Sequence, residues 1–179
     1  MTDRQTDRQG NSPITLPKYQ IWMQSKIKHY DPNKYWKMRD YVVHFKGGNK
    51  TKALYYLFRI KKCDAFNGAS MGTHIGYGAK FKTPPILPHG LNGIIISHNA
   101  VIGRNAWIFH QVTIGEGNGG APVIGDNCFI GAGAKIIGGI KIGNNVKIGA
   151  GCVISVDIPD NATVVMNHPR IIIRQDDQI

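Results

Sequence analysis

In this chain of 179 residues, the side chains best suited to moving a proton near neutral pH are histidines. A histidine within reach of a hydroxyl can take its proton as the oxygen attacks an electrophile. Two histidines stand out by position. His89 lies between Pro88 and Gly90, in a break of a regular six-residue pattern, and His110 lies inside that pattern. His74 precedes it. Metal chemistry finds no support in the spacing: Cys63, Cys128 and Cys152 fit no zinc module. No metal ligand is therefore assigned.

The elements that must position these histidines follow from the repeat. Ile recurs at 96, 102, 108 and 114, then at 124, 130, 136, 142, 148 and 154. The long step, 114 to 124, is one six-residue period plus a four-residue insertion. The second position of each hexapeptide is mostly small. The fourth is Asn99, Asn105, Asn127, Gly133, Gly139, Asn145, Gly151 or Asp157, residue types that tolerate a left-handed backbone and so form corners. The fifth is mid-sized and apolar: Ala100, Ala106, Val112, Cys128, Ala134, Ile140, Val146, Cys152 and Ile158. Positions one and five point inward together, so Cys128 and Cys152 read as core. A helix would need a period near 3.6 and fewer glycines, and a sandwich would show irregular turn spacing. A mainly β, three-sided solenoid satisfies every position.

With three hexapeptides per coil, residues eighteen apart lie one above another. Stepping down from Ile148 gives Ile130, Ile108 and then Leu87, provided 87–96 is one hexapeptide with a three-residue bulge. The third residues of these hexapeptides are Ala150, Ala132, His110 and His89. They are expected to stack on one face at ~4.8 Å per coil. Two alanines then form a shallow track for an extended ligand arm, whose end would reach two histidines.

The segments PHGLNGIIIS (88–97), IFHQVTIG (108–115) and IGAGAKIIGGIKIG (130–143) resemble the hexapeptide-repeat acyltransferases. The resemblance covers about residues 70–172. It implies a left-handed parallel β-helix and an acetyl-CoA-dependent O-acetyltransferase working as a homotrimer. The closest branches look like the serine acetyltransferases and their relatives that acetylate surface polysaccharides. In that family the pantetheine arm of coenzyme A runs along the coils between subunits. Ala132 and Ala150 match positions that contact it, and His89 matches the catalytic histidine. At His74, serine acetyltransferases carry an Asp that orients that histidine; this chain has no carboxylate there. The insertion 116–122, flexible by composition, matches a loop that crosses the trimer interface and covers the site. The ending VVMNHPR (164–170) resembles the family's closing segment, differing at His168 and Arg170. The expected site comprises His89, His110 and His74 for catalysis, and Ala132, Ala150, Gly115, Gly131 and Lys135 for coenzyme A. Asn92 and Gln111 are assigned to the acceptor. Lys141 and Lys147 share the outward sixth position of Lys135, but successive sixth positions lie on different faces.

The net charge of +11 is concentrated. Residues 23–62 hold 11 Lys/Arg against 2 Asp/Glu, whereas residues 63–179 hold 8 against 7. Residues 31–46 read as a helix capped by Asp31 with Pro32 in its first turn, Gly47-Gly48-Asn49 as a break, and 50–62 as a second helix. Aromatics among so many cations suit an anionic membrane surface, although a helical pair packed on the first coil is the plainer reading. No nucleic-acid motif is present. The organisation expected is a leader at 1–22, a basic helical segment at 23–66, the β-helix at 67–172 and a tail at 173–179. Unpaired cysteines and the lack of a secretory signal point to the cytoplasm, with a peripheral place at the membrane's inner face.

The unit TDRQ occurs twice in residues 2–9. Its codons can be written as a tandem ACAG tract, which slips during replication, so we take it as a hypothesis of phase variation; codons that depart from such a tract would end it. Phase variation is typical of surface-glycan genes. About 70 residues precede the β-helix, fewer than serine acetyltransferases usually carry. Both points favour a sugar hydroxyl of a surface polysaccharide, capsule or lipooligosaccharide as acceptor, with serine O-acetylation in cysteine biosynthesis as the alternative. The γ-type carbonic anhydrases share the β-helix but need a histidine pair this chain lacks. A non-catalytic platform would not explain histidines under an alanine track.

Overall fold

A computed structural model describes residues 18–167. Three helices come first: α1 (Lys18–Ile27), α2 (Pro32–Val43) and α3 (Lys50–Phe66). Asp31 caps α2 as expected, its carboxylate accepting the Lys34 N–H at 3.1 Å. Asn49 does the same for α3 through Lys52. Helix α3 runs four residues beyond the expected end, and α1 crosses the 22/23 boundary set between leader and helical segment. The TDRQ unit and the tail at 173–179 lie outside the described residues, as do the last residues of 67–172.

A small hairpin follows, β1 (Thr73–His74) with β2 (Tyr77–Gly78), and then the solenoid. Its first sheet stacks β4 (Ile95–Ile96), β7 (Thr113–Gly115), β10 (Lys135–Ile137) and β13 (Val153–Ile154). The second stacks β3 (Lys80–Phe81), β5 (Val101–Ile102), β8 (Val123–Ile124) and β11 (Lys141–Ile142). The third stacks β6 (Trp107–Ile108), β9 (Phe129–Ile130), β12 (Lys147–Ile148) and β14 (Thr163–Val164). All pairings are parallel, and the chain visits the sheets in rotation, making a parallel β-helix of about five turns. All ten repeat isoleucines are at most 3% exposed. Each contributes roughly 1.5–3 kcal/mol through burial.

The register explains the irregularities. Lys135 pairs with Val153, one ordinary coil on, but Thr113 pairs with Lys135 across the insertion. The last coil is two residues short: Ile158 bridges Ile142, so it takes an inward first position on the second sheet rather than the fifth position assigned from sequence. The corners also differ from expectation. Left-handed backbone occurs at Asn105, Asn127, Asn145 and Asn161 between the second and third sheets, and at Gly93, Gln111, Gly133 and Gly151 between the third and first. Between the first and second sheets, Asn99, Gly139 and Asp157 do without it. The asparagine corner forms a ladder, each side-chain amide donating to the next, from Asn105 to Asn127 (3.0 Å), Asn145 (3.1 Å) and Asn161 (2.9 Å). Beside it, the Asp126 carboxylate is held down to about 2 by the Arg104 backbone N–H and then its guanidinium, with Lys82 assisting.

The helices close the open lower end. Tyr30, Tyr35, Val42, Ile60 and Met71 join the solenoid core. Buried Arg39 pins α2 to the first coil, donating to the carbonyls of Met71 (2.9 Å) and Ala79 (2.7 Å) and to Thr73 Oγ1 (3.1 Å). Its guanidinium lies against Phe81 at 4.6 Å. Buried Asp64 accepts the Tyr35 hydroxyl at 2.6 Å, while its other oxygen has no partner.

Candidate active site

The four stacked residues are placed by backbone pairing. Ile148 aligns with Ile130, and Ile130 with Ile108. One coil lower, Ile86 bridges Trp107 and accepts the Ile108 N–H at 3.0 Å, which sets Leu87 beneath Ile108. The bulge is therefore where the sequence pattern requires it. The His110 carbonyl accepts from Gly133 and the Ala132 carbonyl from Gly151, tying the corner coil to coil.

His89 and His110 meet edge to face, with ring centroids 5.0 Å apart and planes at 85°. His89 is exposed and His110 half-buried, its Nδ1 enclosed without a hydrogen-bond partner. Phe109 flanks His89 at 5.8 Å and continues to Phe129 at 4.9 Å, giving the pair an aromatic wall. Buried Leu91 and Ile94 anchor the bulge that carries His89, and Lys28 Nζ donates to the His89 carbonyl at 2.8 Å.

The other expected residues divide. Gln111 follows His110 in left-handed backbone, and its N–H bonds the Asn92 carbonyl, so both lie beside the pair. Lys135 reaches the same corner, donating to the Gln111 carbonyl (3.2 Å) and Thr113 Oγ1 (3.0 Å). Gly131 is required by packing: a Cβ there would stand 2.6 Å from the Ala150 nitrogen. Gly115 lies at the opposite end of β7, toward the first-to-second corner, away from the histidine pair of its own chain.

His74 also lies elsewhere. It stacks on Tyr77 (4.6 Å, 3°) and meets His98 edge-on at 5.5 Å, at the first-to-second corner. Burial lowers its pKa, with Lys61 and His98 adding to the effect. Within its own chain it lies apart from His89. His98 and Tyr77 were not singled out from sequence, although His98 is the third residue of the Ile96 hexapeptide, the position His110 holds one sheet away. At this corner the 116–122 insertion is folded down, not loose: Gly117 and Gly120 exchange backbone bonds, the Gly139 N–H donates to the Asn118 carbonyl, and Glu116 accepts from Ser97 and Asn99. Among the described residues no cluster of three or more metal-ligating side chains occurs.

A family model described as bacterial transferase hexapeptide (six repeats) matches residues 121–155. Over those residues the repeats are similar to those of the bacterial hexapeptide transferases. Among curated relatives, a serine acetyltransferase of Synechococcus elongatus is 39% identical over 107 residues, covering 58% of this chain and 43% of the relative. That of Bacillus pumilus is 34% identical over 134 residues, 72% of this chain and 59% of the relative. Among solved structures, Neisseria gonorrhoeae serine acetyltransferase in complex with serine matches at a TM-score of 0.61 and 31% identity, over 88% of this chain and 61% of that one. This hexapeptide-repeat chain thus spans roughly half the length of the curated relatives it matches. These relatives overturn the surface-glycan acceptor expected from the leader and the short helical segment: they are named for serine. With that acceptor gone, capsule, lipopolysaccharide and phase variation lose their support.

Proposed function

We propose that this chain is a serine O-acetyltransferase that takes acetyl from acetyl-CoA. The observation that carries the reading is the His89–His110 pair at the foot of the Ala132–Ala150 track, in a chain 39% identical to a serine acetyltransferase over 107 residues. The thioester arm lies along the alanines, where the absence of larger side chains leaves room, and Lys135 stands near enough to meet the donor's polar groups. A His89 ring nitrogen takes the proton from the serine hydroxyl as its oxygen bonds to the acetyl carbon. The C–S bond then breaks, and the protonated His89 returns the proton to the leaving thiolate. The His110 ring, packed edge to face against His89, orients it, and Asn92 and Gln111 border the acceptor. No carboxylate occurs between Asp64 and Glu116, so the coils carrying His89 contribute none to orient it. The exposed setting of His89 fits a site finished by a neighbouring subunit of a homotrimer.

The test is thiol release from acetyl-CoA with L-serine. Wild type should show serine-dependent release, and His89→Ala should lose roughly 10²–10⁴-fold in turnover. Serine that leaves the background rate unchanged would end the acceptor assignment; full activity in His89→Ala would end the base assignment.

A further inference from the structure

Helix α3 carries more than it needs to cap the solenoid. Ala53, Ile60, Cys63 and Asp64 face inward and are buried. On the opposite side, Leu54, Tyr55 and Phe58 are 50%, 54% and 63% exposed. At 100° per residue these three fall within one third of the helix circumference. Exposed cations border this stripe on both sides, Lys50 and Lys61 along one edge, Lys52 and Arg59 along the other, with Lys62 in its middle. The only acid in the helix is Asp64, on the buried side. A solvent-facing helix normally mixes charge signs and exposes few large apolar side chains. Here the outer face has apolar and aromatic side chains in the centre, long cationic stems at the rims and no anion. That is the cross-section of a helix lying in a lipid headgroup layer, where Lys and Arg reach outward while the apolar centre sinks. Helix α1 adds to it: its exit is tied to α3 by the Asn67 amide donating to the Lys28 carbonyl at 2.9 Å and by His29 against Phe66, and it leaves Trp22 and Ile27 exposed.

We infer that the outer face of α3 is a docking surface for an anionic lipid bilayer, on which the chain rests reversibly with its helical end down. Charge decides the occupant: a second copy of this face would bring like charges together, whereas anionic headgroups neutralise them. Since α3 caps the first coil, the bilayer would lie at the end of the solenoid nearest His89. The inference is independent of the acceptor and of the chemistry.

The experiment is co-sedimentation of the full chain with phosphatidylcholine vesicles containing or lacking 30% phosphatidylglycerol, at low and high salt. Wild type should sediment with the anionic vesicles only, and salt should release it. The double variant Leu54→Ser/Phe58→Ser changes side chains already in solvent. It should keep its circular dichroism and its acetyl transfer, yet bind the anionic vesicles more than roughly tenfold more weakly. No sedimentation of wild type overturns the inference. So does equal binding of the double variant, which would assign attraction to charge elsewhere, and so does a fall in oligomer mass in that variant, which would make the stripe a contact between copies.

Discussion

At the scale of residues, the two histidines carry different burdens. His89 is open, with its ring beside His110 and Phe109; His110 is half-buried with one nitrogen enclosed. His110→Ala should therefore lower serine turnover about tenfold, by loss of a positioning contact, and far less than His89→Ala. Steady-state kinetics on both variants checks this; equal losses would make the pair a single catalytic unit. Asp64 offers a test of the cap. Burial raises its carboxyl from 3.8 to about 6, against hydrogen bonds and nearby cations that favour the charged form. The folded state thus holds a proton that the unfolded chain releases between those values. Its contribution to stability falls as pH rises through that window, by about 3 kcal/mol in all. Asp64→Asn should flatten this dependence: the difference in urea-unfolding stability between wild type and variant should shift by about that amount between pH 4 and 7.

At the scale of elements, the sequence disclosed the solenoid because inward positions recur at fixed spacing, and the four-residue insertion shows as one displaced step. Stacking His89 under His110 was readable for the same reason. What was not readable lay where the period ends. The final coil sheds two residues, so Ile158 changes role without changing type. His74 was placed by likeness to a family position, but the β1–β2 hairpin turns it toward Tyr77 and His98, and no periodic signal describes a hairpin outside the repeat. Gln111 adopts left-handed backbone although its type does not announce it; the pairing of its N–H with Asn92 holds it there. Gly131 is expected at the donor from its place in the repeat, and the next coil by itself also demands its smallness. Gly131→Ala would press a methyl group onto the backbone of residues 148–150, none of it a flexible side-chain tip. We expect a loss of about 1–3 kcal/mol in urea unfolding, with the serine KM unchanged if Gly131 touches no acceptor.

At the scale of the whole molecule, each coil touches only its neighbours, so stability is a sum of local terms passed along one axis. The two ends of the described chain are not alike. The first coil rests on α2 and α3, clamped by Arg39 and an aromatic cluster. At the other end, β14 pairs with β12 alone among the described residues, and Val153 and Val165 stand 75% exposed. Amide hydrogen exchange should report this as a gradient, with protection highest near residues 94–114 and lowest near 153–164. Under the proposed function, the acceptor and the thioester carbon would thus meet on the stiffest coil, and the far stretch of the donor would lie on the coil that opens most readily. A spent carrier can then peel away from its tail inward without disturbing the alignment of the groups that react.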